Sequence, residues 1–211
     1  MVTPDWMLEA FLAEGTLGVT PSEPSLIQAG SIDLRLDARL RRVKQGVTAL
    51  DTREALDTLS EVVDLPPGEG ITLQPGAAAV VQTREFLRIP RDHLALIAQR
   101  SGLVRIGVQV SSSIINPGYE GNLPCLIVNH APVPVTLYAG TPFCQLMLFP
   151  LRAAPRQDYD QRSGRYQGEV DLRPSRLHED VSKWVEPPRL KGPSPSDFST
   201  MEWGEDAEKV R

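Results

Sequence analysis

The chain has little of what metal and redox sites are made from. Its 211 residues contain two cysteines, Cys125 and Cys144, and three histidines, His93, His130 and His178. Both cysteines stand inside apolar runs, as reduced core thiols do, and not in the spacing of a zinc site or a disulfide framework. The histidines are scattered without ligand spacing, so no zinc and no other protein-held metal is expected. H-x-E with P-C-x-x-C is missing, which excludes base deamination by zinc-activated water. G-x-G-x-x-G, G-x-x-x-x-G-K-[ST] and G-x-S-x-G are missing too, against a dinucleotide fold, a P-loop ATPase and a serine-elbow hydrolase. Basic residues are outnumbered, 22 to 27, and the net charge of −5 argues against a nucleic-acid partner. Apolar runs fall far short of the ~20 residues that cross a bilayer, and no cationic start precedes an apolar stretch. A cytoplasmic protein with no membrane partner is therefore expected.

What is present indicates a globular chain: 41% hydrophobic and 23% charged residues, enough for one domain with an appendage. Thr3-Pro4-Asp5 reads as a helix start, with Thr3 as cap and Pro4 in the first position; Gly15 can end that helix. Met7, Leu8, Phe11 and Leu12 would form its buried face. Ile32, Leu34 and Leu36 then alternate with Asp33, Arg35 and Asp37, as in a strand with one buried face. Residues 38–64 are charged and mixed, read as strands or loops. Beyond them, turns at 66–68, 74–76, 90–92 and 139–141 separate strands at 71–73, 77–83, 86–89, 94–98, 132–138 and 143–149. Turn signals roughly every ten residues indicate an all-β fold, a distorted barrel or jelly-roll. A barrel domain over 1–183 is expected, its last part (151–183) polar. The Pro-rich tail, 184–211, is too polar for a core, yet carries Trp184, Phe198 and Trp203; it would be partly disordered or dock on a surface.

The densest chemistry lies in QRSGLVRIGVQVSSSIINPGYEGNLPCLIVN, residues 99–129. Arg100, Ser101 and Gly102 put a cation and a hydroxyl beside a residue that lets a ligand approach the backbone, and Arg105 follows. An apolar run from Ile106 to Val110, the tight turn Asn116-Pro117-Gly118, Tyr119 and a second run from Leu123 to Val128 read as two strands joined by a hairpin. Such a cluster suits a phosphate at one end and a flat ring at the other.

This stretch resembles the dCTP deaminase and dUTP pyrophosphatase superfamily, trimeric β-barrel enzymes of pyrimidine deoxynucleotides. GTLGVTPSEPSLIQAGSIDLRLD, LQPGAAAVVQTREFLRIPRDHLALIAQRSGLVRIG, AGTPFCQLMLF and GRYQGEVDLRPSRL extend the likeness to about residue 180, toward the deaminase branch. The resemblance implies a homotrimer with sites between subunits, and dCTP or dUTP as ligand. Mg²⁺ would arrive only as counter-ion of the triphosphate. Nucleotide contacts would come from Arg100, Ser101, Gly102, Leu103, Val104 and Arg105, from Asn116 and Tyr119 at the turn, and from Pro124, Cys125 and Leu126 on the following strand. Gln145 would serve the phosphates, and Tyr159, Arg165 and Glu169 would belong to a C-terminal lid. Ser101 and Arg105 would position water and polarise the base.

Two departures bear on catalysis. Leu126 stands where the deaminases carry a proton-shuttling glutamate, and leucine carries no proton. Asn116 stands where the pyrophosphatases carry a water-activating aspartate, and an amide can hold a water without taking its proton. Glu169 replaces a lid glutamine. Three readings follow: a dCTP deaminase-like protein lacking its general base, a dUTP pyrophosphatase, or a non-catalytic deoxynucleotide-binding or regulatory homologue.

Overall fold

A computed structural model describes residues 1–185 of the chain. These fall into two units, residues 1–50 with 56–174, and residues 51–55 with the segment from 175 onward. The first unit carries the barrel. In chain order its elements are α1 (Asp5–Ala13), β1 (Gly18–Thr20), β2 (Ile27–Gln28), β3 (Ser31–Val43), β4 (Ser60–Asp64), β5 (Gly70–Leu73), β6 (Ala78–Arg88), β7 (His93–Gln99), α2 (Ser101–Arg105), β8 (Val108–Ser111), β9 (Glu120–Asn129), β10 (Val135–Tyr138), β11 (Pro142–Pro150) and α3 (Tyr159–Arg162). In the second unit α4 (Leu177–Trp184) has Glu179 and Asp180 in its first turn and Lys183 in its last, which suits the helix dipole. Phe198 and Trp203 lie outside the described residues.

The main sheet runs β7-β11-β3-β6-β9-β8, with β1 on β6 and β2 and β4 on β3; β5 and β10 form a separate pair. All of these neighbouring strands pair antiparallel, and a bridge between Ala95 and Ile115 brings the two ends of the sheet together into a near-closed barrel. Leu34, Val81, Ile127, Phe143, Leu146 and Leu148 fill its interior. Among the described residues no helix is long and apolar enough to cross a membrane.

Several local expectations need correction. Pro4, not Thr3, caps α1, because the Thr3 hydroxyl and amide both donate to the Leu148 carbonyl (3.2 and 3.0 Å). Residues 101–105 turn as a short helix, so the strand expected from Ile106 starts at Val108. Residues 77–83 and 86–89 are parts of one strand, β6, whose register shifts between Gln82 and Phe86. Side chains mend that shift: the Arg35 amide donates to Glu85 (2.8 Å), and the Leu123 amide to the Thr83 hydroxyl (2.9 Å). β3 has no solvent face where one was expected. Asp33 and Arg35 are buried, and Arg35 is ion-paired with Glu85, which is fully enclosed, and with Glu23.

Candidate functional site

β7 delivers Arg100 to the barrel rim, where it caps α2 in an extended conformation. Its guanidinium, about a third exposed, is ion-paired with the buried carboxylate of Asp33. Gln145 on β11 sits opposite Asp33, and its Nε2 donates to Asp33 Oδ1 (3.0 Å) and to Ser31 Oγ (3.3 Å). Gln28 Nε2 donates to Asp33 Oδ2 (3.2 Å). Two predicted phosphate residues, 45 positions apart, thus meet on one carboxylate. Ser101, Gly102, Val104 and Arg105 are exposed along α2, while Leu103 turns into the core. A Cβ at Gly102 would meet nothing within 4 Å, so the surface above this turn is open.

β9 alternates cleanly. Gly121, Leu123, Cys125, Ile127 and Asn129 face inward, and Pro124, Leu126 and Val128 face out. Cys125 is 1% exposed, so its thiol is turned away from any ligand on the outer face. It lies beside Cys144, whose own thiol is pushed well up by burial and by that neighbour. Leu126 is 40% exposed, paired with Val80 on one side and Ser111 on the other. β8 ends there, and the Pro124 carbonyl accepts the Ser112 hydroxyl instead (3.0 Å). Of the hairpin segment 111–115, only Ser111 and Ile115 are held by β pairing.

The opposite end of β9 is covered by the predicted lid. The Tyr159 amide donates to the Pro117 carbonyl (2.9 Å), and the Gly168 amide to the Glu120 carbonyl (2.8 Å). Gln167 clamps the turn, donating to the Gly118 carbonyl (3.0 Å) and accepting from the Glu120 amide (3.2 Å). The Asn122 amide donates to the Glu169 carbonyl (2.7 Å). Gly121, at φ 147°, has to be glycine, since a Cβ would lie 2.8 Å from the Tyr119 hydroxyl and 2.9 Å from the Glu169 carbonyl. Tyr119 is buried beneath this seam, its hydroxyl donating to the Asn122 carbonyl (2.9 Å) and its ring edge-on to Tyr159 at 5.7 Å. Burial pushes its phenol up. Asn116 is exposed, its carbonyl accepting the Tyr119 amide (3.2 Å), and Arg165 is half-buried in the lid. Glu169 is 1% exposed and accepts the Arg173 amide (2.8 Å); its Oε2 has no partner, and burial pushes the carboxyl up. Beside the clamp a cleft of about 450 Å³ is walled by Arg88, Arg91, Glu120, Asp160 and Gln167.

Three groups therefore stand apart in one chain: the Arg100–Gln145 cluster, the outer face around Leu126, and the lid on the turn. Asp33, Gln28 and Gln167 were not anticipated. Asp33 lay in view within SIDLRLD, but its alternation with apolar residues reads as solvent exposure; only its inward partners reveal it. Among the described residues no three His, Cys, Asp or Glu side chains are gathered to hold a metal.

A family model described as dCTP deaminase-like matches residues 2–151. A protein named dCTP deaminase, dUMP-forming, from Mycobacterium sp. (strain KMS) is 31% identical over 87% of this chain and 99% of its own length. One of the same name from Nocardia farcinica (strain IFM 10152) is 33% identical over 84% and 92%. A solved 2′-deoxycytidine 5′-triphosphate deaminase from Agrobacterium tumefaciens superposes with a TM-score of 0.54 at 23% identity. That match covers 70% of this chain and 46% of the other, and speaks for the fold. With a barrel of this topology and a family match over most of its length, the chain belongs to the dCTP deaminase-like family.

Proposed function

We propose that the chain is a dCTP deaminase-like protein that binds dCTP or dUTP at a site completed between copies of a homotrimer, without the group that transfers protons. Leu126 carries this reading. Attack of water on C4 of a cytosine needs a base to take the water's proton and return it to departing ammonia. Leu126 offers neither, and its partners across the sheet, Val80 and Ser111, are not acids. Asn116 can orient a water but cannot deprotonate it. What remains suits binding: Arg100 for phosphate, Ser101 and Arg105 exposed beside it, and an apolar face at Leu126. Mg²⁺ would accompany the phosphates.

A site shared between copies is supported by distance. The lid is bridged to β9 at Gly121, five residues from Leu126, roughly 17 Å at about 3.3 Å per residue. A lid held there leaves its own chain's Leu126 uncovered. Val104, Ile106 and Ile114, exposed apolar residues, fit a surface that another copy covers. A cytoplasmic location suits such a substrate.

The relatives' name favours a second reading, turnover of dCTP to dUMP with an unidentified base. One assay separates them: purified protein with dCTP or dUTP and Mg²⁺, following ammonia and pyrophosphate beside a thermal-shift titration. A shift without product supports binding alone. Release of either product defeats that reading, and no shift with any deoxynucleotide defeats both.

A further inference from the structure

Arg100 and Gln145 both point donors at Asp33, and that shared acceptor assigns them different tasks. Asp33 is 3% exposed on β3, the strand next to β11. Its Oδ1 accepts from Gln145, its Oδ2 from Gln28 and from Arg100 Nη1. A carboxylate accepts only, so the nitrogen of the Gln145 amide has to face it. That nitrogen has two hydrogens, and Ser31 Oγ lies within bonding distance of the second (3.3 Å). Gln145 is then left with its oxygen alone, which accepts donors and repels phosphate oxygens. Arg100 is in the reverse position: Nη1 is anchored on Asp33, and the rest of a five-donor fork stays at the partly exposed rim. Because the anchor is buried and charged, the guanidinium cannot rotate away without leaving an uncompensated carboxylate in the core.

We propose that Asp33 is a positioning residue of the phosphate arm: it fixes Arg100 as the anion-binding member and commits the amide nitrogen of Gln145, so that Gln145 presents an acceptor and contacts no phosphate. This rests on the nucleotide-binding reading above. It departs from the expectation, drawn from resemblance, that Gln145 serves the phosphates.

The test is a double-mutant cycle read by calorimetric titration with tripolyphosphate and with dUTP, on Asp33→Asn, Arg100→Ala, the pair together, and Gln145→Leu. Asp33→Asn should weaken tripolyphosphate binding by roughly tenfold or more, the scale of a charge-assisted hydrogen bond. In the Arg100→Ala background the same change should cost nothing further, since Asp33 acts through Arg100. A merely structural Asp33 would instead lower the melting temperature and weaken binding equally in both backgrounds, overturning the assignment. Gln145→Leu should leave tripolyphosphate affinity within about twofold; a loss matching that of Arg100→Ala would show Gln145 to be a phosphate donor and overturn it as well. Where Arg100→Ala alone folds poorly, Arg100→Lys, which keeps a cation beside Asp33 without the guanidinium fork, takes its place in the cycle. Wild-type protein that binds neither probe would overturn the nucleotide reading itself, an outcome distinct from binding that is insensitive to Asp33.

Discussion

Glu169→Gln should tighten the lid on the turn it covers. In the wild type the carboxyl is enclosed: one oxygen takes the Arg173 amide, and the other has no partner. Burial, the largest influence, raises its pKa above the ordinary 4.5; the Arg173 amide and the charges of Arg173 and Arg41 pull it back only in part. Folded-state affinity for the proton therefore exceeds that of the open lid. Docking is strongest below pH 4.5 and weakens as pH rises through the folded value. Glutamine keeps an acceptor for Arg173 and carries no charge to desolvate. Relieving the desolvation of one enclosed, unpartnered carboxylate oxygen is worth about 1–3 kcal/mol, so the closed state should gain roughly tenfold at neutral pH. Amide exchange at Asn122 and Gly168, whose N–H groups donate across the seam (2.7 and 2.8 Å), reads this directly once corrected for intrinsic rates. Wild-type protection should fall from acid to neutral pH, and the variant's should be higher and level. A variant less protected than wild type would mean that attraction to Arg41 and Arg173 outweighs burial, refuting the argument.

Other substitutions probe the rest of the molecule. Leu126→Glu places a carboxylate on the outer face of β9 at a position 40% exposed, so it should fold as wild type and raise ammonia release from dCTP; a flat rate would mean that Leu126 does not face the base. Asn116→Asp should raise pyrophosphate release from dUTP, measured at saturating nucleotide, and no change would remove the turn from the reaction centre. Tyr119→Phe removes the hydroxyl donated to the Asn122 carbonyl, costing about 1 kcal/mol and about 2–4 °C in melting temperature. Glu85→Ala strands the Arg35 charge in the interior and should cost about 3–5 kcal/mol in urea unfolding, whereas a loss below 1 kcal/mol would show that water reaches Arg35 (about the value of an exposed pair).

The strands were legible because their signals are local. The apolar runs at β7, β9 and β11 and the turns at 66–68, 74–76 and 139–141 depend on neighbours in sequence, and the lack of an acidic side chain at Leu126 and Asn116 is plain from residue identity. The covered ends of the molecule were not legible. Asp33 and Arg35 alternate with apolar residues like any solvent-facing charges, and only partners 50 and 67 positions away, Glu85 and Arg100, make their burial possible. Nor does local pattern show that Tyr119 is buried with its ring edge-on to Tyr159, forty positions away. Sequence by itself determined the first helix, most of the strands and the non-acidic side chains at 116 and 126, because residue identity and short-range pattern suffice for these. Tertiary structure alone decided which charges are buried and which amide nitrogens are already committed, since a hydrogen bond or ion pair between distant strands exists only once the barrel brings them together.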